Sequence, residues 1–223
     1  MFIGHLAVGF ASKRLAPRAS LGTLMAAPLL LDLIWPAFVL AGFERFRIDP
    51  GNTAVTPLAF DSYPWSHSLV MSIVWALLFA GGYYAITRYT VGAEVIAAGV
   101  VSHWVLDVVS HRPDMPLFPW ASSPRIGFGL WESVPATLAV ETSMFVAGVA
   151  LYVHTTRARD RVGRWALAAF VGFLLIVYAV NLFGPLPSSV RAIAVAALAA
   201  WIFPVWAWWV DAHRDMTLVD ASR

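Results

Sequence analysis

The chain has 223 residues, of which 60% are hydrophobic and only 13% are charged, and its mean hydropathy is +0.71. This composition excludes a soluble globular domain and is typical of a polytopic membrane protein. The formal net charge is +2 and no segment forms a basic patch, so we expect no nucleic-acid partner. Because the chain has no cysteine, disulfides are excluded and any transition-metal site must use imidazole and carboxylate ligands.

The first predicted element is a short apolar helix, from Met1 to Leu15. About 13 helical residues span about 20 Å, which is less than a hydrocarbon core of about 30 Å. The pattern therefore predicts a half-helix. Its basic pair, Lys13 and Arg14, follows the apolar residues, which is the reverse of a secretory signal, so we expect the segment to be retained.

The first full span runs from Leu21 to Ala41 and carries an aspartate, Asp32, in its interior. His5 and Asp32 lie the same number of residues from the turn between the half-helix and this span. In an antiparallel hairpin they would therefore lie at one depth, about 20 Å from the turn. We expect a histidine and an aspartate to meet inside the membrane.

A polar loop, Phe43 to Asp61, follows and is long enough to cover a site. The next span runs to about Ile86 and opens with Tyr63-Pro64-Trp65-Ser66-His67-Ser68. The span after it ends with His103, Asp107 and His111. Because four residues are a little over one helical turn, these three side chains share a face that can hold a metal or relay a proton. His103 is expected level with His5 and Asp32, with Asp107 about one turn further out and His67 and His111 about two turns out.

The C-terminal half continues with a turn-rich loop, Arg112 to Trp131, and three further spans. The first of these runs from Glu132 to about Thr155 and contains Glu141; the others are residues 166–183 and 192–210. The sequence thus predicts an all-α fold, a polytopic membrane helical bundle of about six transmembrane helices plus the short N-terminal half-helix. We expect a single integral membrane domain, residues 1–223, with the metal-site half at 1–130 and supporting helices at 131–223.

An arginine-rich connection, with four arginines between residues 157 and 164, indicates the orientation. The positive-inside rule places this connection in the cytoplasm. Both ends of the six-span bundle are then cytoplasmic, most lysines and arginines lie inside, and the polar face opens to the extracytoplasmic side. We expect a multi-pass membrane protein in this orientation.

Several short motifs resemble those of the YdjM-like family of bacterial inner-membrane proteins, which are described as metal-dependent hydrolases. The motifs are Gly4-His5, Asp32 with Pro36, Ser66-His67-Ser68, and Ser102-His103 with Asp107 and a proline-rich continuation through Pro119. The resemblance covers about the first 120 residues and implies a location in a bacterial inner membrane. It implies that His5, Asp32, His67, His103 and Asp107 bind metal. The chain departs from the family pattern at Ile34, Trp35 and Ser62. The number of bound metal ions, one or two, is therefore left open, and His111 is a candidate substitute ligand.

These residues favour a metal-activated water as nucleophile, because the chain contains neither His-Glu-x-x-His nor Gly-x-Ser-x-Gly. The divalent metal would be zinc, or else manganese or iron, with Asp107, Asp32 or Glu141 as general base. Arg112 and Arg125 suit a substrate phosphate, since guanidinium groups pair with phosphate oxygens, or they reach lipid headgroups instead.

Three functional classes fit this pattern. The first is a hydrolase acting on a lipid or lipid-linked (phospho)ester, and the second is a proton- or ion-coupled transporter using the same His/Asp cluster. The third is a scaffold in which polar side chains join helices. The number of ionisable groups disfavours a scaffold, and the lack of an internal repeat disfavours a transporter. The sequence carries no signal for an oligomeric state.

Overall fold

A helical bundle dominates the protein in the computed structural model, which describes residues 1–185 and 188–217. Its helices are α1 (Ile3–Leu15), α2 (Leu21–Leu40), α3 (Pro64–His67), α4 (Leu69–Thr87), α5 (Thr90–Ser110), α6 (Val134–Thr155), α7 (Arg161–Phe183), α8 (Val190–Ala197) and α9 (Ile202–Ala212). Within the described residues, six segments are long and apolar enough to cross a membrane: α2, α4, α5, α6, α7, and α8 with α9, which a short 3-10 turn joins. The predicted all-α membrane bundle is confirmed.

In the part of the chain that the structure describes, three short antiparallel strand pairs lie in the connections and just after α9, where the sequence predicted no strands. They are β1 (Arg45–Ile48) with β2 (Leu58–Ser62), β3 (Met115–Pro116) with β4 (Arg125–Ile126), and β5 (Thr156–Ala158) with β6 (Arg214–Met216). Pairing gives the extended backbone its hydrogen-bond partners at the ends of the bundle. The β5–β6 pair joins the arginine-rich connection to the segment after α9, so both lie at the same end of the bundle.

The half-helix α1 lies in the middle of the bundle rather than on its surface. Ile3, Leu6 and Phe10 are fully buried, and α1 packs mainly against α2, α5 and α6. A side chain at Gly148 of α6 would collide with the backbone of Ala7, so this glycine permits the close approach of the two helices. A helix too short to span the membrane is stable here because surrounding protein encloses it.

Both ends of α1 have polar partners inside the bundle. Glu141 Oε2 accepts hydrogen bonds from the backbone nitrogens of Phe2 and Gly4, at 2.8 and 3.2 Å. These amides at a helix N-terminus have no intrahelical partner, and a carboxylate suits the positive end of the helix dipole. At the other end, Lys13 Nζ donates to Asp211 Oδ2 at 2.7 Å and ties α1 to α9. The position of His5 on α1 is thus fixed from both ends.

Candidate metal centre

A buried carboxylate, Asp107 on α5, lies at the centre of the polar cluster. Its Oδ1 is 3.0 Å from His5 Nε2, and its Oδ2 is 3.0 Å from His103 Nε2. The Nε2 atoms of His67 and His111 each lie 3.9 Å from Oδ2. Oδ1 also accepts a hydrogen bond from the Met1 nitrogen at 2.5 Å. The Nε2 atoms of four buried histidines therefore converge on one carboxylate.

Asp32 on α2 completes the cluster from the cavity side. Its Oδ1 is 3.5 Å from His67 Nε2 and 3.9 Å from His103 Nε2, and its side chain is 41% exposed. The two imidazole Nε2 atoms are 3.3 Å apart. Nitrogen ligands about 2.0 to 2.1 Å from a tetrahedral metal are separated by about 3.3 Å, so this spacing fits shared coordination.

Two sets of three residues have donor atoms within 4.8 Å of one another: His5 with His103 and Asp107, and Asp32 with His67 and His103. Both sets contain His103, whose ring stacks on that of His5 with centroids 3.9 Å apart. The residues come from α1, α2, α3 and α5. The structure therefore brings together all six residues that the sequence proposed as metal ligands, with His111 at the edge of the group.

His67 lies closer to the centre than its position along the chain suggested, two turns above His103. The sequence treated residues 63–86 as one continuous span, but the chain breaks at Ser68, which has an extended backbone and caps α4. The short helix α3 is therefore turned relative to α4, and His67 at its C-terminus reaches inward. His111 directly follows the last residue of α5 and caps this helix, one turn beyond Asp107.

The second ring nitrogen of three histidines has a partner of its own. His103 Nδ1 donates to the Pro28 carbonyl at 2.7 Å, and His67 Nδ1 lies 2.6 Å from Ser66 Oγ. His111 Nδ1 lies 3.0 Å from Asp114 Oδ1. Bonds of this kind place the proton on Nδ1 and leave the Nε2 lone pair directed at the cluster, as in histidines that ligate metals.

The partner of His67 continues to a second buried carboxylate, Glu44. Ser66 Oγ donates to Glu44 Oε2 at 2.7 Å, and the backbone nitrogens of Trp65 and Ser66 donate to Oε1, each at 2.8 Å. Burial raises the pKa of Glu44, partly offset by His67 and by these hydrogen bonds. Sequence reasoning missed Glu44, because one acidic residue in a polar loop carries no signal that it will be buried.

His111 is held by residues that the sequence also did not identify. Asp114 accepts a hydrogen bond from the Tyr63 hydroxyl at 2.9 Å, and the Trp131 ring lies 4.4 Å from that of His111. Burial raises the pKa of Tyr63 well above its usual value, and the nearby Asp114 carboxylate is the second largest cause. Tyr63 is therefore a neutral donor that holds Asp114 against His111.

Removing the Ser66 hydroxyl tests whether this outer layer supports metal binding. We expect Ser66→Ala to weaken affinity for a divalent metal by about 10- to 100-fold, because the ring of His67 loses its orientation. Competition with a chromophoric chelator measures the affinity. Ser102→Ala is the matched control, because this serine also precedes a cluster histidine but donates to the backbone of its own helix, at Gly99. Equal affinities for the two variants would contradict the role of Ser66.

A cavity of about 200 Å³ opens beside the cluster. Asp32, His67, Asp107, His111 and Glu141 lie on its wall. Its other walls include residues of the polar loop before α3 and of α7: Val55, Thr56, Leu58, Phe60, Tyr178, Asn181 and Leu182. The loop expected to cover a site does line this cavity, and the C-terminal half contributes directly to it.

The two arginines proposed for a substrate phosphate do not line this cavity. Arg112 Nε lies 3.9 Å from Asp114 Oδ2, and Arg125 donates to the Asp61 carbonyl at 3.1 Å. Arg125 lines a separate cavity of about 210 Å³ beyond Tyr63. Neither arginine therefore lies on the cavity wall that carries the histidines and carboxylates of the cluster.

Comparison with known protein families identifies this chain's relatives. A model of the family described as YdjM inner membrane protein matches residues 63–186, more than half of the chain. The matched segment contains four of the six predicted ligands as well as Glu141, and His5 and Asp32 precede it. No curated protein and no solved structure matches the chain.

Proposed function

The chain belongs to the YdjM inner membrane protein family, and we propose that it is a membrane-embedded, metal-dependent hydrolase acting on a lipid or lipid-linked (phospho)ester. One observation carries this proposal: the Nε2 atoms of His67, His103 and His111 converge on Asp107 while their Nδ1 atoms are held by other groups. A cluster joined only for helix packing would not need three histidines oriented in this way. Polar groups of this kind within a membrane are usually functional.

His67, His103 and Asp107 would hold the cation, with Asp32 or His5 completing its shell. Nitrogen and oxygen ligands without thiolate suit zinc, and also manganese or iron. When bound, such an ion lowers the pKa of a water molecule toward about 7 and so supplies a nucleophile.

The protein groups around this position have distinct tasks. Where His5 completes the shell, Asp32 is left as the most exposed carboxylate of the cluster and is best placed to accept a proton from a water molecule in the cavity. Glu141, which also lines the cavity, is a second candidate base, although one of its oxygens already holds the N-terminus of α1. Trp35, Phe60 and Trp131 line the cavity and limit the entry of bulk water.

Incubation with a total bacterial lipid extract tests the hydrolase. Wild-type protein, supplied in turn with zinc, manganese and iron, should release headgroups or leave shortened lipids that mass spectrometry detects. The His103→Ala variant should leave the same extract unchanged. Identical lipid profiles for the two proteins with every metal would contradict the proposed reaction.

We also propose that the cavity opens to the extracytoplasmic side. The arginine-rich connection lies at the opposite end of the bundle, and the positive-inside rule assigns that end to the cytoplasm. Single cysteines can be introduced without background, because the native chain has none. In intact cells an impermeant thiol reagent should label Arg45→Cys and Ser122→Cys, both at exposed positions, and should not label Arg159→Cys. Labelling of Arg159→Cys alone would place the cavity on the cytoplasmic side.

A further inference from the structure

Two uncharged hydrogen-bond donors belong to residues that line the cavity beside the cluster. They are the indole nitrogen of Trp35 on α2 and the hydroxyl of Tyr178 on α7. The two residues are only 7% and 6% exposed, and within the described part of the chain neither polar atom has a hydrogen-bond partner. A buried donor without a partner costs free energy, which an acceptor in the cavity would recover. These donors therefore indicate a ligand that presents an acceptor oxygen.

The same wall offers no basic side chain for a phosphate. Among the described residues that line the cavity there is neither a lysine nor an arginine. Met1 lines it as well, but its amino group is already paired with Asp107 Oδ1. Phosphate oxygens are typically met by guanidinium or ammonium groups. The wall therefore favours a substrate whose reacting group carries no negative charge.

The charges on the wall also balance without an anionic substrate. Both candidate ligand sets contain His103, and only its Nε2 remains for a ligand because the Pro28 carbonyl occupies Nδ1. One Nε2 atom binds one ion, which supports a single divalent cation at the cluster. Its two charges and that of the amino group beside Asp107 offset three carboxylates, those of Asp32, Asp107 and Glu141. A phosphoester would bring a further buried negative charge, whereas a carboxylic ester is neutral.

Resting on the hydrolase function proposed above, we infer that the bond it cleaves is a carboxylic ester, whose carbonyl oxygen accepts hydrogen bonds from Trp35 and Tyr178. The oxygen of a water molecule bonds to the carbonyl carbon, and the bond from that carbon to the alcohol oxygen breaks. One proton of the water passes to the alcohol oxygen, so the products are a carboxylic acid and an alcohol. Negative charge develops on the carbonyl oxygen in the transition state, where donors to that oxygen stabilise it most.

Turnover of a total bacterial lipid extract in water enriched in a heavy oxygen isotope tests which bond is cleaved. Hydrolysis of a carboxylic ester leaves the heavy oxygen bonded to an acyl carbon, and hydrolysis of a phosphoester leaves it bonded to phosphorus. We expect mass spectrometry to find the label in carboxylic acids alone. Label bonded to phosphorus would overturn the carboxylic ester and retain the hydrolase. Label in neither product would reject the hydrolase itself.

A ketone tests the two donors without turnover or metal, because it keeps the carbonyl oxygen and cannot be hydrolysed. A long-chain methyl ketone with a heavy carbon isotope at its carbonyl is added to metal-free protein in detergent. Donation to the oxygen lowers the C=O stretching frequency, which infrared difference spectroscopy against the unlabelled ketone resolves. We expect a saturable low-frequency band in the wild type. Trp35→Phe and Tyr178→Phe should each move this band toward the frequency of the ketone in detergent alone.

Trp206→Phe is the matched control for Trp35→Phe, because the buried indole nitrogen of Trp206 also has no partner among the described residues but Trp206 does not line this cavity. Tyr84→Phe, at an exposed position on α4, is the control for Tyr178→Phe. Both controls should keep the wild-type band. One frequency shared by the wild type and both cavity variants would overturn the two donors. If Trp35→Phe does not fold, Tyr178→Phe decides, since it removes only one oxygen atom.

The kinetics of Tyr178→Phe distinguish a transition-state donor from a residue that only shapes the cavity. We expect kcat to fall by about 10²-fold with little change in KM, because the hydrogen bond strengthens as the oxygen becomes negative. A raised KM with unchanged kcat would reject this role. A ketone band that depends on Tyr178, in a protein that releases no labelled product, would retain the carbonyl site and reject the hydrolase.

Discussion

Replacing His103 with alanine should abolish stoichiometric binding of a divalent metal to the purified protein. His103 Nε2 lies 3.0 Å from Asp107 Oδ2 and 3.3 Å from His67 Nε2, and this residue belongs to both sets of candidate ligands. Its ring is fully buried, and its Nδ1 is fixed by the Pro28 carbonyl. Elemental analysis of detergent-purified protein measures the loss.

His154→Ala is the matched control, because this exposed histidine lies near the opposite end of α6 and should leave the metal content unchanged. Thermal unfolding of both variants separates loss of the site from loss of the fold. The assignment would be wrong if stoichiometric metal survived in both His103→Ala and Asp32→Ala.

Asp107→Asn should remove both metal binding and turnover. The change keeps the size of the side chain but loses the negative charge. It also replaces one carboxylate oxygen with an amide NH2 group beside imidazole nitrogens. A general-base role alone predicts a fall in turnover of about 10²- to 10⁴-fold with metal retained. Because both oxygens of Asp107 face imidazoles, we expect the ligand result, in which metal content falls as well. Lipid turnover and metal content are measured on the same preparation.

Asp61→Asn provides the comparison, since Asp61 forms an exposed ion pair with Arg47 and such pairs contribute little to stability. Normal lipid turnover by Asp107→Asn would exclude Asp107 from the chemistry. Suppose instead that neither the wild type nor Asp107→Asn releases lipid products, and that Asp107→Asn abolishes a pH-dependent flux into proteoliposomes. The protein would then be a transporter that uses this cluster.

The sequence by itself determined the bundle. Inside a bilayer every backbone polar group must find a partner within its own segment, so long apolar stretches can only be helices. Because an α-helix has a constant rise per residue, the sequence also predicted the depth of side chains in helices joined by short turns. Counting from the turns placed His5, Asp32 and His103 at one level, and the structure brings His103 within contact distance of the other two. The short length of α1 was also predicted from residue count alone.

The tertiary structure alone decided what surrounds these residues. The break at Ser68 moves His67 inward, and Glu44, Ser66 and Asp114 become the partners that orient histidines. The tertiary structure also places Arg125 outside the cavity, and it makes Glu141 the hydrogen-bond acceptor for backbone nitrogens at the N-terminus of α1. None of these contacts has a periodic signature, because each joins residues whose distance depends on how irregular connections fold over the helix ends. Helix geometry is local and can be counted, whereas the second layer of a site forms only when separate elements pack together.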